Sequence, residues 1–292
     1  MYFKKYSKKE DGAIRFYDLH STGTKILSVI IFIVCICIII ATLFPIVWAF
    51  LASFRTIKDF NNNPSIMPET FNFSLFSQTW KELRFVNNYI NSFIVVLGSA
   101  VCAIFFNGLL AYATAIVKPK GHKMVLGLVM WSLLIPPMTS MVALFVNINK
   151  LHLTQSYIPL WFMMGANAFY VILFKQFFEG LPKELIEAAK LDGAGYVQTF
   201  LRIIIPLSKA IVMVIIIFSI NAAWSDFLMP YLVLNGSGKE TVMVRLFSFQ
   251  GSNATAVEVL RAVVFSIIPP ILLFIIFQKK ITEGAATGAL KG

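Results

Sequence analysis

Acid–base or nucleophilic chemistry needs reactive side chains brought together, and this chain of 292 residues has few: 14 carboxylates, three histidines and three cysteines. His20, His122 and His152 are scattered and form no cluster. Cys35, Cys37 and Cys102 lie in apolar runs, with no histidine at zinc-ligand spacing, and read as small buried hydrophobes. Gly236-Ser237-Gly238-Lys239-Glu240-Thr241 looks at first like a phosphate-cradling loop, which needs Gly-x-x-x-x-Gly-Lys and then Ser or Thr. Val233 stands where the first glycine belongs and Glu240 follows the lysine, so the segment reads as a polar turn. No Ser/His/Asp set or paired carboxylate is in prospect. The sequence therefore points away from catalysis and away from a metal or cofactor held by this chain.

The elements that carry the remaining polar groups are those of a membrane protein. Hydrophobic residues make up 58% of the chain and charged ones 13%, about half the share usual in a soluble domain. A span needs roughly 20 apolar residues to cross about 30 Å of hydrocarbon. Ile26–Phe54, Phe85–Val117, Met124–Asn149 and Leu151–Phe174 carry no Asp, Glu, Lys or Arg. A fifth run from Ala210 to Leu234 is broken only by Asp226, and a sixth covers Ala262–Gln278. The expected fold is all-α: a polytopic bundle of six transmembrane helices over residues 25–280, between a cytoplasmic segment 1–24 and a cytoplasmic tail 281–292. The first run is longer than a signal-peptide core and no small-x-small cleavage site follows it, so it reads as retained.

The net charge of +11 is distributed as a membrane topology would have it, and suggests no nucleic acid partner. Of the 25 lysines and arginines, 17 fall on the side that holds both termini, the Lys118–Lys123 loop and the Lys175–Lys209 loop. The other side holds 8, and the excess places both termini in the cytoplasm. Pro45, Pro136-Pro137 and Pro269-Pro270 interrupt three spans; each reads either as a packing kink or as a break that lines a pathway or forms a hinge. Gly98, Ala100, Ala103, Gly108 and Ala111 suit close helix packing in the second span.

Between the fourth and fifth spans, residues 181–206 read as two short helices around a turn, within a loop of 179–206. Pro182 suits a first helical position, and Glu184 and Glu187 favour the positive end of the dipole. Leu185, Ala188 and Ala189 share a face, and Asp192-Gly193 ends the helix. The second helix is expected to align Val197, Phe200, Leu201 and Ile204 in one stripe before Pro206. Periodicity leaves two readings open: helices lying on the bilayer surface, or helices whose apolar faces meet a partner protein.

Glu187-Ala188-Ala189, three residues, Gly193, nine residues, Ile203, one residue and Ile205-Pro206 resemble the EAA motif of ABC importer permeases; the family's Leu-Pro ending is Ile205-Pro206 here. The resemblance implies a coupling helix seated in a groove of a cytoplasmic ATPase, with Glu184, Glu187, Ala188, Ala189, Asp192 and Gly193 as the docking residues. Asn91-Ser92, Ala111-Tyr112-Ala113, Trp224-Ser225-Asp226-Phe227 and the terminal Gly288–Gly292 are similar to the carbohydrate branch, with Ser225 where that branch usually has Asn.

That branch implies a set of partners: a second homologous permease, two ATPase subunits that bind ATP and magnesium, an extracytoplasmic sugar-binding protein, membrane lipid and a carbohydrate cargo. The location implied is a bacterial cell membrane, and the tail 288–292 is expected to touch the ATPases. Permeation of a non-sugar solute, or a transporter or channel acting alone, are the competing functions. Asn107, Tyr112, Trp131, Asn221, Trp224 and Asp226 are candidates for the sugar path, since sugars bind by aromatic stacking and polar forks. Packing is the competing role for each, and for Asp226 the capping of a helix end.

Overall fold

The computed structural model describes residues 22–191 and 193–289, and among these only helices and turns occur. The chain divides into two compact units, Met1–Phe73 and Ser74–Gly292.

In the first unit, α1 (Thr22–Ser53) is apolar throughout and exposed along nearly its whole length, as a helix solvated by lipid would be. Pro45 lies inside it without breaking it. Cys35 and Cys37 were expected to be buried, but α1 has no packed face at that level and both are exposed. Just past the helix end, the short helix α2 (Ile57–Asn62) is tied by one arginine. The Arg55 guanidinium donates to the Asp59 carboxylate at 2.7 and 3.0 Å and to the carbonyls of Asn63 and Ser65 at 2.8 and 2.7 Å. This pairing holds the Asp59 carboxyl below its ordinary range.

The second unit opens with α3 (Ser74–Leu83) and the long α4 (Phe85–Val117), which contains π turns at Ala103–Asn107 and Ala113–Val117. Three bent pairs follow: α5 (His122–Ser132) with α6 (Pro137–Lys150), α7 (Ile158–Gly165) with α8 (Ala168–Glu179), and, after α9 (Lys183–Leu191), α10 (Tyr196–Leu207) with α11 (Lys209–Ser225). The bends are 107°, 44° and 88°. α12 (Leu228–Leu234), α13 (Val242–Gln250) and α14 (Ala256–Ala289) complete the unit. Three helices are long and apolar enough to cross a membrane alone, and six spans result if each bent pair is one.

Three spans differ from the runs read in the sequence. The third breaks between α5 and α6, because Pro136 and Pro137 donate no amide hydrogen and Pro136 is extended at ψ 128°. The fourth starts at Ile158 rather than Leu151, the intervening residues turning through positive φ at His152 and Gln155. The fifth stops at Ser225, where Asp226 is extended at ψ 126°.

The proline pair of the sixth span produces no break. Pro269 and Pro270 leave without an amide donor the carbonyls four residues earlier, Phe265 and Ser266. Tyr89 Oη donates to the Phe265 carbonyl at 2.6 Å, and Trp224 Nε1 to that of Ser266 at 3.1 Å. The donors sit in an aromatic cluster of Trp80, Phe85, Tyr89, Phe93, Trp224 and Phe265, with Trp80 and Phe265 centroids 5.0 Å apart. α14 therefore runs on unbroken, with its two freed acceptors paired across the bundle.

Asn107 performs the same service inside α4. Its amide donates to the carbonyls of Ala103 and Met164 at 2.8 and 3.0 Å, and its oxygen accepts from the Asn167 N–H at 2.8 Å. Both the π turn and the break between α7 and α8 are thus satisfied by one side chain that is 1% exposed. Small residues bring the helices close enough for this. A Cβ at Gly98 would lie 2.2 Å from the Trp161 indole nitrogen, which donates to the Ile94 carbonyl at 3.2 Å.

Trp224→Phe is expected to leave the Ser266 carbonyl unpaired at a cost of about 1–3 kcal/mol. In detergent that lowers the unfolding midpoint by several degrees, at roughly 2–4 °C per kcal/mol for a chain of this size; an unchanged midpoint would show that the carbonyl finds another partner. Because Asp59 titrates below its ordinary value of about 3.9, its support for residues 55–65 is complete above pH 4 and lost as pH falls through the lowered value. Amide exchange at Phe60 and Asn63, corrected for intrinsic rates, should rise across that interval and be pH-independent in Asp59→Asn.

Candidate functional site

The segment after α8 is built with two sides. Its inner side is fixed by Ile186 of α9 and by Phe200 and Ile204 of α10, which join Tyr112, Tyr170, Phe174, Phe178 and Ile215 in one buried cluster. Its outer side carries Glu184, Leu185, Glu187, Ala188 and Leu191, all exposed, and Tyr196 and Val197 beyond the turn, also exposed. Leu185, Ala188 and Ala189 line a groove of about 400 Å³ with Arg202, Ile203, Pro206 and Leu207. The alanines leave room in it that larger side chains would fill.

The stripe expected on the second helix is only half realised. Phe200 and Ile204 are fully buried, whereas Val197 is 56% and Leu201 48% exposed. Phe200–Ile204 run as a π turn, whose wider i to i+5 spacing rotates Val197 and Leu201 out of line. The same rotation adds two apolar side chains to the outer face.

The turn between the two helices depends on Gly193, which stands at φ +76° with open space around the position of a Cβ. Ala194 N–H closes the end of α9 by donating to the Ala189 carbonyl at 3.0 Å, the long bond of a glycine-terminated helix. Asp192 lies outside the described residues, as do residues 1–21 and 290–292.

The six path candidates do not gather in one place. Asn107 is consumed by its three backbone partners, Tyr112 is 2% exposed with its ring 5.6 Å from that of Phe200, and Trp224 is the buried partner of Ser266. Asp226 is half-buried and stands directly before Phe227, the N-cap of α12. Asn221 and Trp131 are exposed, Trp131 at 74%.

At the far end of α4, a clamp went unread in the sequence. Asn88 and Asn91 donate to the Glu240 carbonyl at 2.8 and 3.1 Å, Ser92 Oγ accepts from Val242 N–H at 2.9 Å, and Tyr157 donates to Asn91 Oδ1 at 2.7 Å. They hold the Gly236–Thr241 turn, in which Gly236 and Gly238 both take positive φ. The Asn91-Ser92 pair and the two glycines were its only sequence signals. Among the described residues, no group of three or more His, Cys, Asp or Glu side chains could hold a metal ion.

Apolar helices with polar groups paired inward, and a helix pair anchored to the bundle by one face only, define a multi-pass membrane subunit with one face of that pair left outward. The chain belongs to the family described as binding-protein-dependent transport system inner membrane component, which matches residues 17–284. It is similar to the melibiose/raffinose/stachyose import permease protein MelC of Bacillus subtilis (strain 168), 33% identical over 240 residues, covering 78% of this chain and 84% of that one. It is also similar to the arabinooligosaccharides transport system permease protein AraQ of the same organism, 32% identical over 206 residues, covering 70% and 73%.

Among solved structures, a chain of a bacterial ABC transporter involved in the import of the acidic polysaccharide alginate shares the fold. The TM-score is 0.79 at 21% identity, covering 89% of this chain and 98% of that one. The protein is thus a multi-pass transport component of a bacterial cell membrane. It works with further permease, ATPase and substrate-binding subunits and is not itself an enzyme.

Gly193→Leu places a branched side chain at positive φ, a strain of roughly 1–2 kcal/mol with no clash to relieve. It is expected to lower the affinity of the purified permease for its ATPase severalfold while leaving membrane insertion intact. Gly193→Asn, which tolerates this backbone, should keep most of it. Equal binding by all three forms would show that the turn plays no part in binding the ATPase.

Proposed function

We propose that this chain forms one half of the membrane pathway of an ATP-driven importer whose cargo is a sugar, in particular an oligosaccharide handed over by an extracytoplasmic binding protein. The observation that carries the reading is the two-sided segment after α8: buried through Ile186, Phe200 and Ile204, and outward-facing at Glu184, Glu187 and Ala188. An apolar and acidic ridge of this kind on a cytoplasmic loop suits a groove with a basic residue in an ATPase. Asp192 and Gly193 complete the ridge in sequence. The cargo class rests on the relatives, whose names are those of melibiose, raffinose, stachyose and arabinooligosaccharide permeases.

In this reading both termini and the 181–206 segment face the cytoplasm, in keeping with the excess of lysine and arginine on that side. Two ATPase subunits bind ATP and magnesium, and a second homologous permease supplies the other half of the path. Closure of the ATPases on ATP moves the coupling segment, and the bundle alternates between outward and inward access. Asn221 and Trp131 face outward from this chain and offer the cargo an amide fork and an aromatic face.

Reversing the charge at the exposed Glu187 tests the docking arm. Glu187→Lys should insert normally, co-purify poorly with the ATPase and take up labelled raffinose about tenfold more slowly, the size of a lost interfacial charge pair of about 1.4 kcal/mol. Native uptake by this variant, or purification of the tagged protein without any ATPase, would reject the reading.

A further inference from the structure

The 88° elbow between α10 and α11 turns on one residue, Ser208. It is fully buried, and among the described residues its hydroxyl has no hydrogen-bond partner. A buried hydroxyl left unpaired disfavours the state that contains it. Its position, directly before the first residue of α11, is one where serine normally accepts from the free N–H groups of the first turn.

Three other helices of this chain show what a closed cap looks like. Thr56 accepts from Asp59 N–H, Asn167 from Tyr170 N–H and Thr241 from Val244 N–H, each three residues on. Their ψ angles are 157°, 109° and 168°, whereas Ser208 stands at ψ 24° with no side-chain cap. At that angle the serine is set for the elbow and cannot serve as a cap.

We propose that Ser208 is the pivot through which the coupling segment redirects the fifth span, its hydroxyl unpaired in the state seen here and capping α11 in the alternate one. The inference rests on the importer reading above. The hydrogen bonds on either side permit such a turn. Ser208 N–H is bound to the Ile204 and Ile205 carbonyls at 3.0 and 3.1 Å, and its own carbonyl accepts from Val212 N–H at 3.0 Å. A rotation about the Cα–C bond lies between these two sets and need break neither. It carries ψ towards the range of the three closed caps and brings Oγ to the Ile211 N–H, three residues on. Phe200 and Ile204 of α10 and Ile215 of α11 lie in one buried cluster, so the turn has to reseat Ile215 while α10 keeps its place.

The test uses the complete importer, with second permease, ATPases and binding protein, reconstituted in liposomes. Ser208→Ala removes the cap from the alternate state and the unpaired hydroxyl from this one. It should assemble normally and keep its basal ATPase rate, but lose about fivefold in binding-protein-dependent uptake, the factor a single N-cap makes in an equilibrium. Ser208→Thr, which keeps the hydroxyl, should restore most of that loss. Spin labels at the exposed Gln198 and Phe218 should show two distances in the native complex, redistributed by magnesium and a non-hydrolysable ATP analogue, and one in Ser208→Ala.

Native uptake with both distances in Ser208→Ala overturns the pivot, as does a threonine variant no better than alanine. Failure of both variants to assemble would mark Ser208 as a packing residue and likewise overturn it. Absence of ATP-dependent uptake in the native complex is a different result, and counts against the importer reading itself.

Discussion

A backbone carbonyl that loses its amide partner inside a bilayer has no water to turn to, and the second unit of this protein is organised around that fact. Where a helix bends, widens or meets proline, acceptors are left exposed, and at several such places a side chain supplies the donor. Tyr89 and Trp224 serve the proline pair of α14, Asn107 serves the π turn of α4 and the break before α8, and Trp161 reaches the Ile94 carbonyl. These bonds dictate which helices must touch. The aromatic cluster and the glycine at position 98 then follow as the packing that lets those donors approach.

The same economy explains why several polar residues sit where a sugar path might have been sought. A tryptophan and an asparagine inside apolar spans invite a ligand-binding role, yet both are committed to backbone groups: Trp224 to Ser266 and Asn107 to three partners. On the segment after α8, Glu187, Ala188, Val197 and Leu201 are exposed and lie outside the buried cluster that seats it. On that segment the residues that seat it in the bundle and those left outward are therefore largely separate.

Much of this was legible in the residues alone. The all-helical class, the six apolar runs and the turn at Gly193 follow from composition, charge and the special freedom of glycine, and the family from the spacing of Glu187, Gly193 and Ile205-Pro206. Helix periodicity misjudged the face of Val197 and Leu201, because a π turn obeys a different period and leaves no mark in composition. Proline pairs were equally ambiguous: Pro136-Pro137 breaks its span and Pro269-Pro270 does not, and the difference lies in donors from residues 89 and 224, far away in sequence. The clamp of Asn88, Asn91 and Ser92 on the 236–242 turn was hidden for the same reason, since its halves are about 150 residues apart.

The pairing of Tyr89 and Trp224 with α14 also bears on how the protein is made. Both donors leave the ribosome before Phe265 and Ser266, so they are already made when α14 arrives with two bare carbonyls. That helix is a poor candidate for independent release into lipid and a good one for delivery straight onto an assembled acceptor surface. Chain order thus doubles as a safeguard in biogenesis: the span with the proline pair is synthesised after both of its donors.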